Sequence, residues 1–81
     1  MNGSRKKWVN DGQPVSVSRE IFDGFEKVRL SGETNMLDRP RVARLAHEAG
    51  DYAAALWATE HPDEYARALF NGFKIEDDPP A

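Results

Sequence analysis

The two histidines are the residues whose type and spacing come nearest to metal chemistry. His47 and Glu48 open a run to Asp51 that partly matches a helical zinc motif, in which two histidines four residues apart hold the ion. The second histidine is missing, and Gly50 is expected to end the helix. His61 is expected to begin the next helix, where nothing in the spacing makes it a ligand partner. The sequence therefore predicts no metal site.

The rest of the chain offers no catalytic arrangement. It contains no glycine-rich phosphate loop, no nucleophile beside a base and no cysteine. A helical domain of 81 residues also leaves little room for a substrate pocket. We therefore expect a protein without enzymatic activity, catalytic residues or a cofactor.

DNA binding is a second candidate function. The pairs Leu45-Ala46 and Ala49-Gly50, followed by Leu56, have the spacing of a helix-turn-helix motif. The would-be recognition helix, residues 53–60, contains no Arg, Lys, Asn or Gln to read base edges. A basic surface could still form from residues of the first half, namely Arg5, Lys6, Lys7, Arg29, Arg39, Arg41 and Arg44. A helix-turn-helix-like DNA-binding regulator is therefore kept as the alternative function, although nucleic-acid modules are usually basic overall.

Charge is distributed unevenly along the chain. The net charge is −3, but residues 1–45 carry nine basic and six acidic side chains, whereas residues 46–81 carry two and eight. The first part is thus at +3 and the second at −6. Such polarity can orient a partner through its electric field, and an acidic half can also imitate nucleic acid toward a basic partner. An ordinary solvated surface with an acidic tail accounts for the same numbers.

Protein binding uses the residue types that this sequence does supply. Arginine, tryptophan and tyrosine commonly carry the energy of protein contacts, and three arginines fall near the start of one predicted helix. Trp8 and Trp57 are each either core or interface. A solvated helical face explains the charged residues equally well. The predicted partner-binding residues are Arg39, Arg41, Arg44, Trp57, Glu60, Asp63 and Glu64.

The elements that must position these residues follow from apolar spacing. The first helix is predicted after an N-cap at Ser18, with an apolar stripe of Ile21, Phe22, Phe25 and Val28. Gly24 inside it costs about 1 kcal/mol relative to alanine. We therefore expect another element to pack closely against Gly24, with the N-terminal arm as the candidate.

Three more helices are expected. The second spans about Arg39 to Ala49, with Val42, Leu45, Ala46 and Ala49 on its apolar face and Gly50 at its end. The third runs from a cap at Asp51 to Thr59 and packs through Tyr52, Ala53, Leu56 and Trp57. The fourth has Pro62 in its first turn, an apolar face of Tyr65, Ala66, Leu69, Phe70 and Phe73, and a stop at Gly72.

The ten residues from Ser31 to Pro40 connect the first two helices. Gly32 is expected to end one helix and Asp38 to cap the next, with Pro40 in its first turn. Leu37 and Val42 have the spacing of a hydrophobic staple. Thr34 and Asn35 can satisfy loop backbone groups locally.

The predicted fold is mainly α: a compact bundle of three to four short helices with an extended or hairpin N-terminal arm. The arm is residues 1–14, where Trp8-Val9 and Val15–Val17 flank a turn-rich stretch. The helical domain is 15–75, and 76–81 is an acidic flexible tail with two prolines. No apolar run approaches the roughly 20 residues of a membrane span, so we expect a cytoplasmic protein.

Several of these residues also resemble a known family. The run Ser31-Gly32-x-Thr34-Asn35-Met36-Leu37-Asp38, the helix ending at Gly50, and Tyr65 followed by Gly72 are similar to a small phage and prophage family, a domain of unknown function with the number five-zero-four-nine. The resemblance covers about residues 15–73. It implies a mobile-element origin and a bacterial host cell, and it supplies no catalytic residues.

The function expected from these observations is a non-enzymatic, phage- or prophage-encoded binding protein. An anti-defence inhibitor, such as one that blocks a CRISPR effector, is the most concrete member of this class. Its partner would be a host or phage protein complex, and homodimerisation would be a natural way to extend so small a core. Nucleic acid is the less favoured partner, and a membrane is not expected.

Overall fold

The computed structural model describes residues 12–76, which fold into four short helices and a two-stranded parallel sheet. The order is β1 Val15–Val17, α1 Arg19–Ser31, α2 Arg39–Glu48, α3 Tyr52–Glu60, α4 Pro62–Asn71 and β2 Phe73–Ile75. The predicted mainly helical class is confirmed. The pairing expected of Trp8-Val9 lies outside the described residues, as does the tail after Glu76. The domain boundaries at residues 14 and 75 stay predictions.

The helix starts follow the predicted capping chemistry. The Ser18 hydroxyl accepts a hydrogen bond from the Ile21 amide at 3.3 Å at the start of α1. At the start of α2, the Asp38 carboxylate accepts one from the Arg41 amide at 3.3 Å, and Pro40 occupies the first turn. Each cap satisfies one of the backbone donors that a helix start leaves without an internal partner.

The end of α2 is a two-bond C-terminal cap. Gly50 adopts a left-handed conformation with φ 88°, which has little steric cost for glycine. Its amide donates to the His47 carbonyl at 3.0 Å, and the Asp51 amide donates to the Ala46 carbonyl at 2.8 Å. This pair of bonds is the Schellman pattern. It turns the chain directly into α3, so that α2 and α3 form a helical hairpin.

Gly24 is the point of closest approach between α1 and α3. A Cβ atom placed on Gly24 would lie 2.6 Å from Ala54 Cβ and 3.1 Å from Asp51 Cβ. The expectation that another element packs against Gly24 is therefore confirmed, but the N-terminal arm was the wrong candidate. Ala54 itself is fully buried.

The face of α3 turned toward the core differs from the prediction. Its buried residues are Ala54, Ala55 and Ala58, whereas the exposed fraction is 61% for Tyr52 and 57% for Leu56. The close approach at Gly24 leaves no space for larger side chains on the inner face. The packing roles predicted for Tyr52 and Leu56 were therefore wrong.

The start of α3 also lacks the predicted side-chain cap. Asp51 occupies the N-cap position but makes no side-chain hydrogen bond to the helix. Its carboxylate instead forms an ion pair with Lys27 of α1, with 3.1 Å between Nζ and Oδ2. Oδ2 is buried and has no hydrogen bond of good geometry, so this ion pair is its compensating contact. Asp51 thus links α3 to α1 rather than capping α3.

The main core cluster lies between the helices. Phe25 and Val28 of α1 meet Val42 and Ala46 of α2, the buried alanines of α3, and Tyr65 of α4. Phe25 provides much of the contact, because its ring lies 5.6 Å from the Tyr65 ring and 5.9 Å from that of Trp57, both in edge-to-face geometry. Such aromatic pairs add to the free energy gained from burial alone.

The sheet closes the fold in a way that the sequence analysis did not anticipate. Val15 pairs with Phe73 and Val17 with Ile75 in a parallel register. Gly72 ends α4 as predicted, but Phe73 belongs to β2 rather than to the apolar face of α4. Phe70, also assigned to that face, is exposed. Buried Val15, Val17 and Ala68 form a second, smaller core cluster beneath the strands.

The connection between α1 and α2 is ordered by local bonds but not by the predicted staple. The Asn35 side chain accepts from the Leu37 amide at 2.8 Å, as expected for loop satisfaction. Val42 is fully buried, yet Leu37 is 72% exposed, so the two cannot form a hydrophobic staple. Met36 packs against the core in place of Leu37.

Replacing Gly24 tests the α1–α3 contact. Gly24→Ala should favour helix formation by about 1 kcal/mol, but the new methyl group would overlap Ala54. Overpacking typically costs about 1–3 kcal/mol, so we expect a lower free energy of unfolding in urea. The double variant Gly24→Ala/Ala54→Gly removes the overlap and should recover part of the loss. An equally or more stable Gly24→Ala single variant would contradict the close contact.

Candidate functional site

The start of α2 brings the predicted arginines together, but they do not share one role. Arg39 is half-buried, and its Nη1 donates to the Ala58 carbonyl at the end of α3, at 3.1 Å. Arg39 therefore ties two helices together. Arg41 and Arg44 are exposed and line a shallow cavity of about 250 Å³ with Asp38 and Pro40.

Tyr65 joins α4 to the same region. Its hydroxyl donates to the Met36 carbonyl at 2.6 Å, and the side chain is almost fully buried. Burial raises the pKa of Tyr65 to about 12, with a smaller lowering by Arg39 and a smaller raising by Asp38. Together with the Arg39 bond, this contact brings the start of α2, the end of α3 and the start of α4 to one end of the molecule.

The predicted acidic residues lie at this same end. Glu60 and Asp63 are exposed on either side of the junction between α3 and α4. Glu64 is half-buried, with its carboxylate 4.0 Å from His61 Nε2. Asp63 and Glu64 also stand in the first turn of α4, where negative charge favours the helix N-terminus. We call the surface formed by Arg41, Arg44, Glu60, Asp63 and Glu64 the charged end.

Trp57 serves mainly as packing. It is half-buried and contacts both core clusters. Its ring stacks on that of His61 at 5.0 Å and meets the edge of Phe73 at 5.9 Å. Trp57 therefore holds α3 against β2 and the α4 junction, and the partner-binding role assigned to it stays a prediction.

An open groove along the α2–α3 hairpin is lined, apart from Arg44, by residues that were not predicted to form a site. It encloses about 500 Å³ and is lined by Ala43, Arg44, His47, Tyr52, Ala55, Leu56 and Thr59. The alanines form the small-residue part of the lining, while the His47 and Tyr52 rings lie 5.0 Å apart at the end beside the turn. Tyr52 and Leu56 are the large exposed apolar side chains here.

The two histidines have aromatic rather than metal-like surroundings. His47 meets Tyr52, and His61 stacks on Trp57 while its Nδ1 lies 3.1 Å from the Trp57 carbonyl. Between residues 12 and 76, no three His, Asp or Glu side chains are grouped as they would be around a metal ion. Within the same span, no helix has the length and apolar character needed to cross a bilayer.

Comparison with known families identifies the family to which this chain belongs. A family model for a domain of unknown function, DUF5049, matches residues 18–72. The chain belongs to this family. No curated protein and no solved structure matches the chain.

The DUF5049 match begins at Ser18, the N-cap of α1, and ends at Gly72, which follows α4. It therefore covers all four helices and neither strand. The family resemblance predicted from the connection after α1 is confirmed. The matched residues include the α2–α3 groove and both the basic and the acidic residues of the charged end.

The groove could not be predicted from the spacing of apolar residues, because what distinguishes α3 is its overall apolar composition. Seven of the nine residues of α3 are apolar or aromatic, so the helix has no polar face that marks its solvent side. A helix that is apolar all round is usually covered on every side. Applied to α3, that rule indicates a helix with more apolar surface than its own domain can cover.

The Tyr65 contact predicts a specific dependence of stability on pH. Tyr65→Phe leaves the Met36 carbonyl without its donor and should lower the free energy of unfolding by about 1–2 kcal/mol at neutral pH. The pKa of Tyr65 is raised in the folded state, so its contribution is complete below pH of about 10 and is lost as the pH rises toward about 12. Urea unfolding of both proteins from neutral to alkaline pH should therefore show the difference shrinking above about pH 10. A difference that stays constant would contradict the buried, neutral hydroxyl.

Proposed function

We propose that this DUF5049 domain is a non-enzymatic binding protein that acts by occupying a surface of a partner protein. The observation that carries the proposal is the charged end, which exposes side chains of both signs. Arg41 and Arg44 come from α2, while Glu60 and Asp63 come from the α3–α4 junction. The hydrogen bonds of Arg39 and Tyr65 fix these three helices relative to one another.

Mixed charge favours a protein over a nucleic acid as the partner. A phosphate backbone attracts the arginines but is repelled by the nearby carboxylates, whereas a protein surface can present a complement to both. Arginine is also a residue that commonly dominates the energy of protein interfaces.

The structure gives little support to the alternative of a helix-turn-helix DNA regulator. The outer face of α3 exposes Tyr52 and Leu56, and the helix contains no Arg, Lys, Asn or Gln. Leu56, which belongs to the predicted motif and was expected to pack against the other helices, is 57% exposed. Among residues 12–76, a DNA-binding role would therefore depend on basic side chains outside α3, such as Arg41 and Arg44.

The most concrete form of the proposal is a phage- or prophage-encoded inhibitor that works in the cytoplasm of a bacterial host. Its partner would be a host or phage protein complex. Blocking a defence complex such as a CRISPR effector requires only that the inhibitor occupy an essential surface, and no chemistry is needed. This part of the proposal rests on the phage-family resemblance together with the absence of a catalytic constellation in the sequence.

Phage plating tests the proposal. In a host with an active defence system, expression of the protein should raise the plating efficiency of the targeted phage. Arg41→Glu and Asp63→Lys should reduce that effect about tenfold or more, because they oppose complementary charges on the partner. Lys74→Glu and Asp23→Lys make the same charge changes at exposed positions away from the charged end and should retain the effect.

Circular dichroism checks that all four variants remain folded, as exposed charges contribute little to stability. Absence of protection in every defence background, combined with failure to capture a protein partner, would contradict the proposal. Loss of function in the Lys74 and Asp23 controls as well would show that the charged end is not the site.

Nucleic-acid binding supplies the second test. Fluorescence anisotropy with a short duplex should show weak binding that largely disappears between about 50 and 200 mM salt, since few phosphate contacts are available. Sequence-selective binding that survives physiological salt and is lost in Arg44→Glu would instead favour the DNA-binding alternative.

A further inference from the structure

The outer face of α3 carries an exposed stripe that the rest of residues 12–76 leaves largely uncovered. Tyr52, Leu56 and Glu60 follow one another at intervals of four, so they lie on one face of the helix. All three are exposed, with 61% of Tyr52 and 57% of Leu56 accessible. The opposite side of α3 is already packed against α1 and α2 through its buried alanines.

The composition of α3 argues that this stripe is covered in the working protein. A helix at the surface of a monomer normally has a polar face, and α3 has only Thr59 and Glu60 as polar residues, both at its end. Leaving tyrosine and leucine in water forgoes the free energy that their burial would supply. A domain of this size has a marginal core and gains most from such additional burial.

The stripe is self-complementary about its centre. Leu56 is the midpoint of α3, with Tyr52 one turn before it and Glu60 one turn after it. When a second α3 is laid antiparallel across the first, Leu56 meets Leu56 and each Tyr52 meets the other copy's Glu60. The tyrosine hydroxyl can then donate a hydrogen bond to the carboxylate. A parallel arrangement would instead place the two Glu60 carboxylates together.

The surroundings of the stripe leave room for this contact. The groove beside it encloses about 500 Å³ and includes Ala43 and Ala55, whose short side chains let a large one enter. Small residues also allow two helices to approach closely. His47 lies beside Tyr52 and adds a second donor opposite the incoming Glu60.

We propose that this face binds a second copy of the chain in a twofold-symmetric dimer, with antiparallel α3 helices crossing at Leu56. Symmetric pairing of one patch with itself is the commonest way in which soluble chains assemble. The stripe shares Glu60 with the charged end, and Arg44 lines the groove beside it. The two proposals can still be tested separately, because Arg41 and Asp63 lie on α2 and α4 rather than on the stripe. The dimer would carry two such ends.

Sedimentation equilibrium of the full chain tests the dimer. The chain has a mass of 9.1 kDa, and we expect twice that mass to become populated as the concentration rises from about 1 to about 200 µM. Leu56→Glu should weaken the dimer about 30-fold or more, since it places two charges at the centre of the interface. Leu30→Glu introduces the same charge at another exposed leucine, on α1, and should leave the dimer intact.

Cysteine cross-linking tests the antiparallel arrangement, because the chain has no cysteine of its own. Leu56→Cys should form a disulfide-linked dimer under mild oxidation, since disulfides need Cβ atoms within about 4 Å of each other. A mixture of Tyr52→Cys and Glu60→Cys should link to each other in preference to themselves.

A monomer at all concentrations would overturn the proposal, as would a dimer that tolerates Leu56→Glu. Preferential linking of Tyr52→Cys to itself would overturn the antiparallel geometry. Circular dichroism of Leu56→Glu separates loss of association from loss of folding, and Leu56→Cys tests the same position without adding charge. Because the defence assay depends on Arg41 and Asp63, its outcome is distinguishable from that of the dimer.

Discussion

The contact between Gly24 and Ala54 is the constraint on which the rest of this small fold depends. It allows α3 to lie so close to α1 that only alanines fit on its inner face. The larger side chains of α3 must then point elsewhere: Trp57 to the side, against Phe25 and Phe73, and Tyr52 and Leu56 outward. One missing Cβ atom thus determines both the inner packing of the bundle and its open apolar surface.

Two polar contacts act at the opposite end of the hairpin. Arg39 holds the last turn of α3 through the Ala58 carbonyl, and Tyr65 holds the connection before α2 through the Met36 carbonyl. Both join a side chain to a main-chain oxygen, so they fix backbone positions rather than the orientation of other side chains. The exposed charges that surround them are consequently carried on a rigid base, as a binding surface requires.

The sequence contained the local chemistry of the fold but not its long-range contacts. The caps at Ser18 and Asp38 and the turn at Gly50 could be predicted, because each depends on residues within one or two turns of the helix. The pairing of Val15 with Phe73 could not, since neither short run specifies a distant partner. The buried face of α3 was mispredicted because seven apolar residues in nine leave no periodic signal.

In the candidate site too, residue types could be predicted from the sequence, but their positions in the fold could not. Arg41, Glu60 and Asp63 were selected by residue type, and only the fold reveals that they share one end of the molecule. Arg39 was selected by the same criterion but is used to join α2 to α3. The exposure of Leu56 depends on the glycine of another helix, so no local rule could supply it.

The parallel sheet imposes an order of events during synthesis. Val15 leaves the ribosome long before Phe73, whose ring stacks on Phe25 at 5.3 Å and meets those of Trp57 and Phe22 at 5.9 and 6.4 Å. Because helices form through local contacts, all four can form while β1 still has an open edge and the aromatic cluster lacks its last member. Completion of the fold waits for the final strand, as is general where contacts join distant parts of a chain. Any intermediate in which the helices have formed but β2 is unpaired exposes the edge of β1, the kind of species that chaperones recognise.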